Sequence, residues 1–388
     1  MSLYELAILG EATPQERDRI TQTIAEMVSD FGLKIGDDVL IHDASSVGAR
    51  DLRAAFAAAY FGGDPAKDLK AVEALVAASV PIIPTVGSKG SFFSNIPQVI
   101  QASNGLRRRD DDPAMTDLAA ALLEVVGLLR KQRRVFVSYR RTESRTVAIQ
   151  LHDTLSERGF DVFLDTHDIR PGEPFQEVLF HRLCDSDVVI MLDTPTYFES
   201  KWTTQELGRA RAKEIHILRV VWPEHAPSRF TALAETVYLD STDLSGPEGP
   251  IVSSAFDNIV VGVERLRSKS IASRYMSITG KLRADVERIG ASISGIGSHR
   301  AVSIVLEDKR QVWAYPIVGI PTAELLNDVA EKARRANYKD VAILVYDHVG
   351  ISNAWADHLK WLDDNIDVVR AIKSAEASWV LAVWEPKS

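Results

Sequence analysis

The chain has 388 residues, 46% of them hydrophobic and 26% charged, with a formal net charge of -9. That length leaves room for two or three cored domains, and the acidic balance offers no general electrostatic footprint for nucleic acid. The single cysteine, Cys184, excludes an internal disulfide and a cysteine-cluster metal site, and with no charged leader and no apolar run near the ~20 residues of a membrane span, a cytoplasmic protein without membrane contact or metal is expected.

The first elements alternate between the two periods. Residues 6–9 read as a strand, 14–31 as a helix, 39–42 as a strand and 71–78 as a helix. Gly87, Ser88, Lys89, Gly90 and Ser91 make a small loop that lacks the spacing of a nucleotide-binding P-loop and reads as an exposed turn. Arg107, Arg108 and Arg109 are followed at once by Asp110, Asp111 and Asp112, a self-neutralising block expected to be a solvated linker. No catalytic set stands out before this point.

A second alternating series begins after the linker. Residues 135–140 open as a short apolar strand, and Val147, Leu151 and Leu155 recur at helical spacing up to Gly159, which suits a left-handed helix cap. Residues 162–165 form another short strand, Phe175, Leu179 and Leu183 restore the helical period, and 187–192 read as a buried strand. A helix over 207–213, strands at 217–221 and 237–239, and a helix at 255–266 complete the unit. Such alternation argues for a parallel sheet covered on both faces, with ligands beyond the carboxyl ends of its strands. The loops at 138–141, 166–174 and 193–206 are those strand ends.

Within them Trp202 and Glu206 are four apart, which puts them on one helix face, able to act on one ligand. Thr203 to Glu206 also fits a capping box, in which the glutamate would serve the helix start instead; if Ser200 is the cap, Glu206 is free of that duty. The order and spacing of residues 135–206 resemble the TIR domain family. The resemblance implies a flavodoxin-like five-stranded parallel sheet with helices on both faces, flanked here by two further α/β domains. It further implies that Glu206 is the catalytic carboxylate of an NAD+-cleaving enzyme, with Trp202, Ser138, Tyr139, Arg140 and Tyr197 near the substrate. The loop carrying Asp168, Arg170 and Gly172, together with Phe175, would serve assembly. Cleavage of the nicotinamide–ribose bond passes through a cation-like ribosyl state that one carboxylate stabilises, and nicotinamide leaves as a neutral molecule, so no general acid is required. NAD+ is then substrate and no cofactor is expected.

Beyond the TIR-like segment the signals are weaker. Strands are expected at 302–306 and 311–318, joined by a turn at 307–310, with a helix at 323–336, a strand at 341–346, a helix at 355–362 and a last strand at 379–384. Glu307 and Lys309 have the spacing of half a nuclease metal motif, with Asp285 as a conceivable partner, but a polar turn is commoner. His348 and His358 stand at no familiar metal spacing. Residues 78–96 also run parallel in pattern to 185–202, with Val99 or Ile100 near the place of Glu206, so residues 1 to about 105 are expected to be a degenerate TIR-like or flavodoxin-like fold, with chance similarity between two α/β segments as the alternative. The expected organisation is an N-terminal α/β domain over 1–131, a catalytic domain over 132–268 and a C-terminal α/β domain over 269–388. A hydrolase activated by self-association, with an activating ligand or protein at a flanking domain, in the style of bacterial antiphage effectors, is the leading expectation. A cyclase making a cyclic ADP-ribose signal and a non-enzymatic adaptor are the alternatives.

Overall fold

The computed structural model describes the chain except for residues 1, 104, 129–132, 165–174, 337, 339 and 385–388, and describes the backbone alone at 175–177, 201, 202, 253 and 298. Among the described residues the chain builds three five-stranded sheets. The first holds β1 (Tyr4–Gly10), β2 (Val39–His42), β3 (Ala55–Phe61), β4 (Ile82–Val86) and β5 (Leu106–Arg107), in the order β2-β1-β3-β4-β5. The second holds β6 (Arg134–Ser138), β7 (Asp161–Phe163), β8 (Val188–Asp193), β9 (His216–Val221) and β10 (Glu235–Tyr238), in the order β7-β6-β8-β9-β10. Both are parallel throughout. Numbered within each sheet, the two share the order 2-1-3-4-5, so the N-terminal segment is a flavodoxin-like sheet with the topology of the second.

The third sheet is mixed. β11 (Ser292–Ile296), β12 (Val302–Val305) and β13 (Gln311–Pro316) form an antiparallel meander, and β14 (Ala342–Tyr346) and β15 (Val369–Lys373) add in parallel. Glu307 and Lys309 fall in the turn between β12 and β13, while Asp285 lies on a helix and pairs with Arg288 at 2.8 Å. The half nuclease motif is therefore a hairpin turn.

The expected last strand at 379–384 is instead the helix Ala377–Ala382. Ala377, Ser378, Leu381 and Trp384 are buried while Trp379 and Val383 are exposed, a helical spacing that the apolar run concealed. The basic triplet is also more than a linker. Arg107 ends β5 and donates to the carbonyls of Gly87, Ser88 and Gly90, and Arg108 lies over Phe61 and pairs with Glu16 at 2.8 Å. The Gly87 loop is thus folded around an arginine.

The chain divides into two compact units. One comprises Arg130–Arg274 with Val349–Ser352, and the other Met1–Leu129, Tyr275–His348 and Asn353–Ser388. The N- and C-terminal sheets therefore fall in one unit. The helix Ser253–Arg288 runs without interruption through residue 268, and its residues divide between the two units after Arg274.

The second sheet is covered on both faces, as its hydrophobic strands require. One face packs Val135, Val137, Ile190 and Leu192 against Val147, Leu151 and Leu155 of the helix Arg141–Glu157 and Ile259 and Val263 of the helix Ser253–Arg288. The other packs Phe136, Val189 and Met191 against Leu179 and Leu183 of the helix Phe175–Asp185 and Leu207 and Ala210 of the helix Lys201–Ala212. No helix among the described residues is long and apolar enough to cross a membrane.

Candidate functional site

The site is built where β6 ends. Successive side chains of a strand point to opposite faces, so Ser138 shares the face of Phe136, under the helices Phe175–Asp185 and Lys201–Ala212. Tyr139, one residue on, is buried in the core of the opposite face beside Val137 and Val147. Ser138 itself is buried.

Glu206 descends to this point from the helix Lys201–Ala212. That helix buries Thr203, Glu206, Leu207 and Ala210, a stripe at three- and four-residue spacing turned toward the sheet. Ser200 is the N-cap, so Glu206 lies beyond the first turn, and the Thr203 hydroxyl donates to the carbonyls of Tyr197 and Ser200 at 2.7 and 3.0 Å. Thr203 therefore anchors the preceding turn to the helix, and the capping box does not form. A glutamate only 7% exposed requires a partner. It receives the hydroxyl hydrogen of Ser138 at Oε2.

A second hydroxyl completes the chain. Tyr197 Oη lies 2.6 Å from Ser138 Oγ, and because the one proton of Ser138 goes to Glu206, the phenol is the donor. Burial pushes the Tyr197 phenol well above its usual range, and the nearby Glu206 charge raises it further. The phenol therefore stays protonated and the relay runs from Tyr197 through Ser138 to the carboxylate. Charge-assisted bonds of this kind hold an anion in one place.

The loop that carries Tyr197 is tied across the end of the sheet. The Thr196 amide donates to Glu143 at 3.3 Å, and Arg140 pairs with Glu199 at 3.4 Å. Burial raises the Glu143 carboxyl, but the Thr196 amide, the neighbouring Thr194 and Thr196 hydroxyls and the charge of Arg140 outweigh it and bring it below its usual value. Further along, Asp193 ends β8 fully buried and His225 Nε2 lies 3.3 Å from its Oδ1. Burial raises the Asp193 carboxyl, while His225 and Arg219 pull against the rise. Among the described residues no group of histidine, cysteine and acidic side chains could hold a metal ion.

Comparison with known proteins bears on the family of this segment. Residues 135–250 match the TIR domain family, a span that contains β6 to β10 and the relay. They are a TIR domain. Over 75 residues the chain is 32% identical to the probable 2′ cyclic ADP-D-ribose synthase BdTIR of Brachypodium distachyon, covering 19% of this chain and 34% of that protein. Over 93 residues it is 24% identical to the 2′ cyclic ADP-D-ribose synthase BtTIR of Bacteroides thetaiotaomicron, covering 24% of this chain and 32% of that protein. The chain thus spans about a third of the length of these curated relatives. Among solved structures, the tagatose-6-phosphate ketose/aldose isomerase of Escherichia coli aligns with 70% of this chain and 82% of its own at 12% identity, with a TM-score of 0.21. That score carries no statement about fold.

Of the residues singled out in the TIR domain, the structure brings Ser138, Tyr197 and Glu206 into one hydrogen-bonded group. Arg140 stands at the start of the helix Arg141–Glu157, at the same strand end. Tyr139 is not brought to the relay, because alternation sends it through to the opposite face. Asp168, Arg170 and Gly172 lie outside the described residues, as do the side chains of Phe175 and Trp202. Sequence reading missed Asp193, His225 and the anchoring role of Thr203. The signal for Asp193 was available, since a carboxylate that closes a run as apolar as Val188–Asp193 stands at a strand end where ligands bind.

The pattern that sets residues 78–96 beside 185–202 aligns β4 with β8, whereas the shared strand order makes β3 the counterpart of β8. Val99 and Ile100 therefore do not stand in the place of Glu206, and the helix Leu69–Ala77 follows the corresponding strand.

Proposed function

We propose that the protein cleaves NAD+ at the bond between nicotinamide and ribose, with Glu206 stabilising the ribosyl cation. The observation that carries this reading is the buried Glu206 carboxylate, fixed by Ser138 and Tyr197 at the carboxyl edge of the TIR sheet. A carboxylate locked before the substrate arrives spends no reorganisation energy when positive charge develops beside it. The pyridinium leaves as neutral nicotinamide, so a site with one anionic carboxylate suffices for bond cleavage.

The product depends on which nucleophile reaches the cation. Water gives ADP-ribose and the enzyme is then a hydrolase. A hydroxyl of the substrate gives a cyclic ADP-ribose, a second reading that the names of the two curated relatives favour. In either case an always active enzyme would exhaust its host's NAD+. We therefore read the protomer as weakly active in the cytoplasm, switched on by self-association through residues 168–175 under the influence of a ligand or protein at the flanking segments, as suits an antiviral effector.

The test is NAD+ consumption by the purified protein at high concentration or with a crowding agent, comparing wild type with Glu206→Gln and resolving the products by chromatography. Loss of NAD+ with wild type alone supports the enzyme and identifies its product. An assembled wild-type protein that consumes none supports the adaptor instead.

A further inference from the structure

Glu206 shares this end of the TIR sheet with a second buried acid. Met191 pairs with Ser138 across β8 and β6, and Asp193 lies two residues further along β8. Alternation therefore gives Asp193 the face of Ser138, Tyr197 and Glu206. Its charge acts on the Tyr197 phenol in the same direction as that of Glu206. Asp193 is fully buried, its Oδ1 faces His225 Nε2, and its Oδ2 has no hydrogen-bond partner among the described residues. A buried carboxylate oxygen left unpaired is costly, and no hydrogen bond among the described residues offsets it. His225 arrives from the loop after β9, and its side chain keeps 17% exposure at the strand-end surface.

The chemistry proposed above leaves one proton without a destination. Water or a ribose hydroxyl attacking the ribosyl cation must give up a hydrogen, and Glu206 stabilises that cation best while it remains charged. We propose that His225, oriented by Asp193, is the general base of this second half of the reaction. The inference rests on the reading of Glu206 as the cation-stabilising carboxylate. Asp193 accepts from Nε2–H, which fixes the tautomer and leaves Nδ1 with the lone pair. The bond from C1 of the ribose to nicotinamide breaks and its electron pair leaves with nicotinamide. A lone pair of the incoming oxygen forms the new bond to C1, and the hydrogen of that oxygen passes to Nδ1 and then to solvent. Asp193 acts through His225 and is a positioning residue.

Nucleophiles that carry no proton separate this role from a structural one. A pyridine such as 3-acetylpyridine attacks C1 through its ring nitrogen and needs no base, so exchange of nicotinamide for the added pyridine calls on Glu206 alone. The full-length protein is assayed at high concentration with NAD+ and 3-acetylpyridine, and the hydrolysed, cyclised and exchanged products are resolved. His225→Gln and Asp193→Asn are expected to lose the hydrolysed and cyclised products by about 100-fold, the lower end of general-base contributions, and to keep pyridine exchange near the wild-type rate. Glu206→Gln is expected to lose all three. Equal loss of all products in His225→Gln and Asp193→Asn, or no loss, overturns the inference. Silence of the wild type itself overturns the reading of Glu206, and the inference with it.

Discussion

The Ser138 hydroxyl donates to the Glu206 carboxylate although 68 residues separate them in the chain. β6 brings one to the carboxyl edge of the sheet and the buried stripe of the helix Lys201–Ala212 brings the other. A hydrogen bond to a charged group is worth about 1.5–3 kcal/mol, so Ser138→Ala is expected to lower kcat for NAD+ cleavage about 10- to 100-fold. KM should change little, because the bond fixes the carboxylate and not the substrate. Initial-rate kinetics check this, and an unchanged kcat would remove Ser138 from the mechanism.

Tyr197 acts at one remove. Tyr197→Phe deletes the donor to Ser138 and is expected to cost about 1 kcal/mol of stability, the worth of a neutral hydrogen bond, with a fall in rate smaller than that of Ser138→Ala. The wild-type phenol lies well above its usual range. The wild-type rate profile should therefore show no limb below pH 10 that Tyr197→Phe abolishes.

At the other end of the same strands the charges are structural. Arg267 Nε bonds Asp187 Oδ2 at 3.1 Å with both side chains buried, and Asp187 also receives the Arg134 amide at 3.0 Å and its guanidinium at 3.2 Å. Asp187→Asn removes the charge that faces the buried Arg267 and one of the two carboxylates paired with Arg134, and is expected to cost about 3–5 kcal/mol. Chemical denaturation measures the loss. The fraction that stays folded should retain the wild-type KM, because Asp187 lies at the amino end of β8, away from the relay.

Glu124 provides a pH-dependent test in the flanking unit. Burial raises its carboxyl, but His299 at 2.5 Å and Lys332 more than reverse this and hold it at about 2, against 4.5 when unperturbed. A depressed folded value contributes stability that is complete above pH 4.5 and is lost as the pH falls toward 2. A shift of this size corresponds to about 3 kcal/mol. Glu124→Gln should therefore unfold earlier than wild type at pH 7, and the gap should shrink steadily below pH 4.5. A gap that stays constant down to pH 3 would contradict it.

The TIR domain was legible in the chain because its strands are buried on both faces and read as continuous apolar runs. Val188–Asp193 and His216–Val221 announce themselves in this way. β3 does not, since Ala55–Phe61 is mostly alanine and lacks the β-branched residues that mark a strand. Its place at the centre of the first sheet overrides that weak preference. The helix Ala377–Ala382 fails in the opposite sense, because aromatic and branched residues there imitate a strand until burial shows a helical spacing.

For the site, local sequence determined the residue types, the strand ends and the spacing of the helix that carries Glu206. It could not decide between a capping glutamate and a cleft glutamate, because both fit four residues of local pattern. Nor could it tell that Tyr139 would turn away while Ser138 turned in, since the face a side chain takes depends on where the strand ends and which helix covers it. Those choices belong to the tertiary structure. Contacts across 68 residues, and the burial that makes an unpaired carboxylate oxygen costly, exist once the sheet has brought distant strand ends together.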